Sequence, residues 1–265
     1  MQTPPPADNW QSGDPYERYI GRWSRLVAPP FVRWLDVAPG QRWLDVGCGT
    51  GALCGAILAH AAPAAVTGID PSDGFLDVAR ARLPAGVAFH VGSATAIPLP
   101  DAAVDVVVSG LVLNFIPDPA AALREMARVA GRDALVGLYV WDYAGKMELL
   151  RYFWDAVATV DPAATALDEG VRFPLCDPAA LVATADAAGL HDVEITAVDV
   201  PTVFADFADL WEPFLGGQGP APSYLFALDE VTRAAVRETL RARLPRRDDG
   251  SIHLLARAWA LRGRV

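Results

Sequence analysis

The feature that most constrains this chain is a run of three glycines that directly follows a short apolar segment. The run reads Trp43-Leu44-Asp45-Val46-Gly47-Cys48-Gly49-Thr50-Gly51, and a helix-like segment, Ala52 to Ala61, comes next. This order predicts a strand, a tight turn and a helix. Glycines suit such a turn because they accept positive φ angles and let the backbone approach a ligand closely. Since the first amides of the helix then face the ligand, the segment predicts a binding loop.

An acidic residue ends the next predicted strand after the glycine loop. The apolar run Ala65-Val66-Thr67-Gly68-Ile69 ends at Asp70, which lies 19 residues beyond Gly51. An acid at the end of the strand after a glycine loop is placed to accept both hydroxyls of an adenosine ribose. The pattern Gly47-x-Gly49-x-x-Ala52 also satisfies the loose dinucleotide fingerprint, so the loop alone leaves NAD open as a cofactor.

Helix-like and strand-like segments alternate after the loop. Helices are predicted over Ala52–Ala61, Gly74–Leu83 and Ala120–Ala130, and strands over Ala65–Asp70, Val87–Val91, Val104–Gly110 and Ala134–Val140. This alternation predicts a doubly wound α/β domain, in which ligands bind beyond the carboxyl ends of the strands. The nearly continuous apolar run at Val104–Gly110 is typical of a parallel strand that is covered on both faces.

The spacing Asp-x-Gly-x-Gly-x-Gly, with its acid before the first glycine, resembles motif I of class I S-adenosylmethionine-dependent methyltransferases. The resemblance extends from about Trp43 to Val140. It implies a Rossmann-like fold with a mostly parallel, seven-stranded sheet, in which the last strand, Ile252–Leu261, runs antiparallel and pairs with strand six, Val193–Ala197. Further similarity, at Arg22-Trp23-Ser24-Arg25, Tyr139–Tyr143 and Glu212–Gly217, is to a bacterial branch without a substrate that could be carried over.

The resemblance implies S-adenosylmethionine as the cofactor. Ser93 stands where the family has an acid that meets the adenine amino group, and a hydroxyl can still accept that hydrogen bond more weakly. Arg22 could meet the carboxylate of the cofactor, since a guanidinium binds carboxylates bidentately. The predicted cofactor-binding residues are Tyr19, Arg22, Gly47, Cys48, Gly49, Gly51, Asp70, Pro71, Ser93, Ala94 and Gly110.

The remaining segments are interpreted around this core. Residues 1–15 read as a flexible tail and 16–265 as one domain, with a helical arm at 16–38 and a substrate cap at about 200–245. Aromatic and polar residues at strand ends and in the cap predict the acceptor site of a small apolar or aromatic molecule. These residues are Asn114, Trp141, Tyr143, Trp211, Phe214 and Tyr224.

Composition limits the partners. The net charge of -10, with Lys146 as the single lysine, disfavours nucleic acid and anionic membranes. Three cysteines without metal-binding spacing fit a reducing cytoplasm, and the opening residues do not resemble a signal peptide. We therefore expect a cytoplasmic monomer or homodimer that binds no metal.

The chemistry needs no assigned catalytic base, because S-adenosylmethionine carries an activated methyl group and orientation can supply much of the rate. No histidine is predicted at the crevice, and Asp142 and Tyr143 are open as groups that act on an acceptor proton. Two other functions stay open at this point. One is a methyltransferase-like protein that binds the cofactor without transferring a methyl group, and the other is an NAD-dependent oxidoreductase.

Overall fold

Seven strands form one sheet in the order β3-β2-β1-β4-β5-β7-β6 in the computed structural model, which describes residues 17–216 and 219–265. The predicted flexible tail, 1–15, lies outside these residues. The strands are β1 Arg42–Val46, β2 Ala65–Asp70, β3 Ala88–Val91, β4 Val106–Gly110, β5 Leu135–Trp141, β6 His191–Phe204 and β7 Ile252–Arg264. The first five pair in parallel, and β7 pairs antiparallel to β5. The predicted doubly wound, mostly parallel sheet with an antiparallel last strand is confirmed.

Helices connect most of these strands. They are α1 Arg22–Leu35, α2 Ala52–His60, α3 Asp73–Arg82, α4 Pro119–Ala130, α5 Glu148–Val160, α6 Glu169–Arg172, α7 Pro178–Ala187, α8 Phe207–Trp211, α9 Pro220–Ala227 and α10 Glu230–Arg243. Polar side chains fix several starts, as at α3, where Ser72 Oγ accepts from the Phe75 N–H at 3.4 Å. A turn of π-helix, Glu17–Gly21, precedes α1, so the predicted arm, 16–38, is helical from Glu17 to Leu35.

Strands β4 and β5 are buried on both faces of the sheet. All seven residues of β5 are buried, as are the first four of β4. Gly137 in the middle of β5 is required by packing, because a Cβ atom there would lie 2.8 Å from the Leu35 side chain of α1. The amphipathic helix α1 therefore covers one face of β5 at close range.

Two strands are longer than predicted. Strand six was expected over Val193–Ala197 but continues to Phe204, and β7 continues to Arg264. Pro201 does not end β6, because β6 is the edge strand, where one missing N–H need not break the sheet. The segment of the predicted cap, about 200–245, thus begins within β6 and contains the helices α8, α9 and α10, and its role as a substrate cap stays a prediction.

The chain divides into two compact units. The sheet unit comprises residues 24–141, 175–198 and 258–265, and it contains β1 to β5 with helices α2, α3, α4 and α7. The helical unit comprises the described residues of 17–23, 142–174 and 199–257, and it contains α5, α6, α8, α9 and α10. Each unit holds a part of the predicted site and is described by itself below.

Candidate functional site

The three glycines of the loop after β1 all have positive φ angles, but they serve two purposes. Their φ values are 73° at Gly47, 52° at Gly49 and 84° at Gly51. A Cβ atom at Gly47 would lie 2.6 Å from Val112, and one at Gly51 would lie 2.8 Å from Leu83. At Gly49, by contrast, a Cβ atom would meet nothing within 4 Å. Packing therefore accounts for Gly47 and Gly51, whereas Gly49 faces open space in which a ligand could approach the backbone.

Asp70 ends β2 beside this open glycine. Its Oδ2 accepts from the Gly49 N–H at 3.0 Å, and its Oδ1 accepts from the Ser72 N–H at 2.9 Å. Burial raises the pKa of Asp70, and these two backbone hydrogen bonds lower it again in part. Each carboxylate oxygen keeps a second lone-pair site, so the side chain is held in one orientation and can still accept two hydroxyls. The predicted ribose acceptor thus fits an adenosine-bearing cofactor.

Asp45, the acid of motif I, has no role that was predicted from the sequence. Asp45 is 1 % exposed, and its Oδ2 accepts from the thiol of Cys54 at 3.2 Å. Burial raises the pKa of Asp45 to about 7, and the nearby Asp70 carboxyl adds to the rise. Cys48 and Cys54 are free, buried thiols, and a hydrogen bond between them together with burial raises the pKa of Cys54. Asp45 and the two thiols are thus linked by hydrogen bonds in the buried interior next to the loop.

The other predicted cofactor residues of the sheet unit lie at the carboxyl ends of β2, β3 and β4. Pro71 is exposed directly after Asp70. The exposed Ser93 shares a hydrogen bond with Thr95 Oγ1 at 3.0 Å, and Ala94 beside it is half-buried. Gly110 ends β4, where a Cβ atom would lie 2.5 Å from the Tyr139 hydroxyl. Their contacts with a cofactor stay a prediction.

Two predicted acceptor residues also belong to the sheet unit. Asn114 lies in the 3₁₀ turn Leu113–Phe115, and its buried Nδ2 has no hydrogen-bond partner among the described residues. A buried donor without a partner is costly, so this amide is available to orient a ligand. Trp141, the last residue of β5, is only 1 % exposed and fills the core.

In the helical unit, Arg22 already binds a carboxylate of its own chain. Its Nη1 donates to Asp209 Oδ1 at 2.8 Å, and its guanidinium lies 4.4 Å from the centre of the Trp23 ring. Arg22 Nη2 donates to the backbone oxygen of Asp209 at 3.3 Å, so both outer nitrogens of the guanidinium are engaged by Asp209. The predicted contact of Arg22 with the cofactor stays a prediction.

The predicted cap aromatics pack on one another. Phe214 is fully buried, stacks on Phe153 with ring centres 4.6 Å apart, and meets Tyr19 edge-on at 5.1 Å. Trp211 lies 6.3 Å from Phe214, and the Tyr224 hydroxyl donates to Asp161 Oδ2 at 2.9 Å. This packing explains much of their burial, and their contact with an acceptor stays a prediction.

A buried carboxyl in the same unit was missed. Glu169 of α6 is 2 % exposed, and the Trp154 indole N–H donates to its Oε2. The Ala221 N–H donates to its Oε1 at 3.3 Å. Nothing in the local sequence Asp168-Glu169-Gly170 distinguishes this residue from a solvated acid, since its neighbours are distant in sequence. Only the tertiary structure reveals it.

Other features of the described residues lie apart from the glycine loop. A surface depression of about 460 Å³ lies at the amino ends of β1, β4 and β5, on the opposite edge from the glycine loop. Within the described ranges, no group of three His, Cys, Asp or Glu side chains could hold a metal ion. The described helices also include none that is long and apolar enough to cross a membrane.

Comparisons with known proteins agree with this geometry. A family model described as a methyltransferase domain matches residues 44–136. The chain is 39 % identical over 119 residues to malonyl-[acyl-carrier protein] O-methyltransferase of Serratia marcescens, over 45 % of each chain. It is 28 % identical over 221 residues to 2-methyl-6-phytyl-1,4-hydroquinone methyltransferase of Synechocystis, which covers 82 % of this chain and 65 % of the relative. The chain spans about half the length of the first curated relatives that it matches.

Solved structures share the fold at low sequence identity. The YcgJ protein of Bacillus subtilis has a TM-score of 0.59 at 17 % identity, covering 90 % of this chain and 97 % of that one. A phosphoethanolamine N-methyltransferase of Haemonchus contortus, solved with S-adenosylhomocysteine, has a TM-score of 0.56 at 16 % identity, covering 95 % and 56 %. The [4+2]-cyclase SpnF has a TM-score of 0.54 at 23 % identity, covering 92 % and 80 %. In its glycine loop, its sheet order and the methyltransferase-domain match at residues 44–136, the chain is similar to the class I S-adenosylmethionine-dependent methyltransferases.

Proposed function

We propose that this protein binds S-adenosylmethionine at the glycine loop of the sheet unit and transfers its methyl group to a small apolar or aromatic molecule. The observation that carries the cofactor assignment is the Asp70 carboxylate, which the amides of Gly49 and Ser72 hold beside the open face of Gly49. When bound, the cofactor supplies a methyl group on a positively charged sulfur, which is already activated for attack.

The residues of the chain would bind and orient the cofactor and the acceptor. They need not activate the methyl group. Asp70 would accept the ribose hydroxyls, and the exposed Ser93 would accept from the adenine amino group. The unpaired amide of Asn114 would orient the acceptor. Such orientation and the exclusion of water can supply much of the rate of a methyl transfer.

The apolar or aromatic nature of the acceptor is supported by composition and by relatives. The chain has eight tryptophans, and large flat side chains are suited to bury flat apolar molecules. Among the relatives, one is named for a phytyl hydroquinone and others for demethylmenaquinone and for ubiquinone or menaquinone biosynthesis. These names describe the relatives, and they favour a ring-bearing acceptor here.

The proposed activity can be tested by incubating the protein with S-adenosylmethionine and two sets of acceptors. One set contains hydroxylated naphthalenes and the other contains small polar amines, and released S-adenosylhomocysteine is measured. Release with the naphthalenes supports the proposal. Release with the amines alone would overturn the aromatic acceptor, and no release with either set would count against methyl transfer to small molecules.

A second candidate is binding without methyl transfer. The neighbour SpnF carries this fold and is named a [4+2]-cyclase, so the fold also occurs in a protein named for different chemistry. In that case S-adenosylhomocysteine would still bind to the protein, but no acceptor would yield a methylated product. Binding and turnover measured on the same preparation separate the two candidates.

A further inference from the structure

We propose that the corner between α9 and α10, together with the arginines at the end of α10, is a docking surface for an anionic lipid bilayer. Its apolar end consists of Phe226 and Val231, and its basic end consists of Arg241, Arg246 and Arg247. All five residues belong to the helical unit. The inference goes beyond the proposed function and does not depend on it, although docking would bring the protein to the phase in which an apolar acceptor dissolves.

The apolar end holds the two most exposed large apolar side chains of the described residues. Phe226, near the end of α9, is 73 % exposed, and Val231, in the first turn of α10, is 81 % exposed. Val231 shares the solvent face of α10 with Ala234 and Ala235, on the side opposite to the buried Leu240. A single exposed apolar residue is common on protein surfaces. A neighbouring aromatic and aliphatic pair is suited to enter the interfacial region of a bilayer.

Arg233 holds this corner in one conformation. Its Nη2 donates to the carbonyl oxygens of Phe226 at 3.3 Å and of Leu228 at 2.7 Å. Its Nη1 donates to Glu230 Oε2 at 3.1 Å. One guanidinium thus binds Phe226 itself and the residue directly before Val231. The corner therefore presents the two apolar side chains close together on a fixed backbone.

The basic end is the densest run of positive charge in the chain. The segment 241–247 contains four arginines and no acid, although the whole chain has a net charge of -10. Arg243 donates to a carbonyl oxygen of α5 at 3.0 Å, whereas Arg241, Arg246 and Arg247 are exposed. The net charge disfavours anionic membranes for the chain as a whole. Because attraction to anionic lipids acts within a short distance of the headgroups, a local basic surface can still bind them.

The acids around this surface do not cancel its charge. The segment 230–247 carries six arginines and two acids, a local charge of +4. Of these acids, Glu238 pairs with Arg237 at 2.8 Å. Asp229 and Asp249, which flank the segment, each accept a hydrogen bond from a backbone N–H of their own turn, at 2.8 Å and 2.9 Å. The exposed Asp248 weakens the positive charge at the basic end without reversing it.

The arrangement of the two ends favours a bilayer over other anionic partners. Val231 and Arg241 are about 15 Å apart along α10, at 1.5 Å per residue, so the partner has to be extended. A bilayer offers headgroups to the arginines and an apolar interior to Phe226 and Val231. A nucleic acid would engage the basic end alone through its phosphates. In a twofold dimer the same surface would meet itself and crowd the arginines of the two copies.

Flotation with lipid vesicles tests the inference. The protein is mixed with vesicles of phosphatidylglycerol and phosphatidylcholine in equal parts, or of phosphatidylcholine alone, at about 0.1 M salt. The variants are Phe226→Ser and the double variant Arg246→Gln with Arg247→Gln, which change exposed side chains and should keep the circular dichroism of the parent. Val171→Ser, at a position of α6 that is 58 % exposed, and Arg132→Gln, exposed in the sheet unit, are the matched controls.

We expect the parent and both controls to float with the vesicles that contain phosphatidylglycerol, and to bind phosphatidylcholine alone at least about tenfold more weakly. Phe226→Ser should weaken binding to the anionic vesicles about tenfold, and the double variant about fivefold for each arginine lost. A parent that floats with neither vesicle or equally with both, or variants that float like the parent, would overturn the inference.

Light scattering on the same samples distinguishes a contact between copies. A parent that is dimeric, does not float and becomes monomeric in Phe226→Ser would assign the surface to a second copy of the chain and overturn bilayer docking. Flotation is measured without the cofactor, so its failure leaves the proposed methyl transfer intact, and a failure to bind S-adenosylhomocysteine leaves the docking surface intact.

Discussion

At the scale of the residue, the glycine loop shows that glycine can be required at neighbouring positions for different physical reasons. Gly47 and Gly51 leave no room for a side chain, because Val112 and Leu83 occupy that space. Gly49 has room but shares the positive φ angle. Sequence spacing alone assigned all three to the cofactor, whereas the structure leaves Gly49 as the residue whose open face can meet a ligand.

This difference predicts the outcome of a matched pair of substitutions. Gly49→Ala and Gly40→Ala both place a methyl group in open space at a positive φ angle, 52° and 83° respectively. Each should cost about 1–2 kcal/mol of stability, because a left-handed conformation disfavours a Cβ atom. Only Gly49→Ala should also weaken S-adenosylhomocysteine binding, measured by calorimetry. Equal affinities in the two variants would show that the ligand does not approach the Gly49 backbone.

At the scale of the element, helix α4 fixes the segment that follows β3. Arg128 donates to the carbonyl oxygens of Ile97 and Leu99 and to the carboxylates of Glu125 and Asp101. Glu125 in turn accepts from the Ile97 N–H at 3.0 Å. One arginine thus ties the helix to the connection that begins near Ser93, the predicted adenine contact.

Replacing Arg128 should affect cofactor binding as well as the stability of helix α4. The Arg128 side chain is 32 % exposed, so Arg128→Ala should cost only about 1 kcal/mol of stability in urea unfolding. Cofactor binding should weaken with it, because the segment from Ser93 loses its anchor. Arg124→Ala, on the exposed side of the same helix, is the control and should change neither quantity. If both variants bind like the parent, the segment is held by other contacts.

Elements that depend on neighbouring residues could be predicted from the sequence. Features that depend on contacts between residues far apart in the sequence could not. The loop after β1 and the acid ending β2 follow from glycine spacing and strand alternation, which are properties of neighbouring residues. The extension of β6 through Pro201 depends on its position at the sheet edge, which no local pattern reveals. The burial of Glu169 by Trp154 and Ala221 depends on residues 15 and 52 positions away.

At the scale of the whole molecule, buried carboxyls should control how stability depends on pH. Burial raises the pKa of Asp45 from 3.8, and that of Glu169 from 4.5, to about 7 in both cases. Between the ordinary and the raised pKa values, both carboxyls are ionised in the unfolded chain but protonated in the folded chain. The free energy of unfolding should therefore fall as the pH rises through this window, by about 1.4 kcal/mol per pH unit for each carboxyl, and level off above about pH 7.

Asp45→Asn tests this dependence without removing the shape of the side chain. The variant should show a smaller fall in stability between about pH 5 and pH 7 in urea unfolding, because one of the two protons is no longer involved. Asp186→Asn, at an exposed position of α7, is the control and should follow the parent. A parent whose stability rises over this range would contradict the assignment of Asp45 as a protonated acid in the fold.

The central claim, that Asp70 and the Gly49 loop hold S-adenosylmethionine rather than a nicotinamide cofactor, has one direct test. Calorimetric titration of the parent with S-adenosylhomocysteine and, separately, with NADH compares the two cofactors on the same protein. We predict binding of S-adenosylhomocysteine alone, and a loss of about 2–4 kcal/mol of binding free energy in Asp70→Ala, since two charge-assisted hydrogen bonds disappear. Tight binding of NADH with no response to S-adenosylhomocysteine would contradict the account.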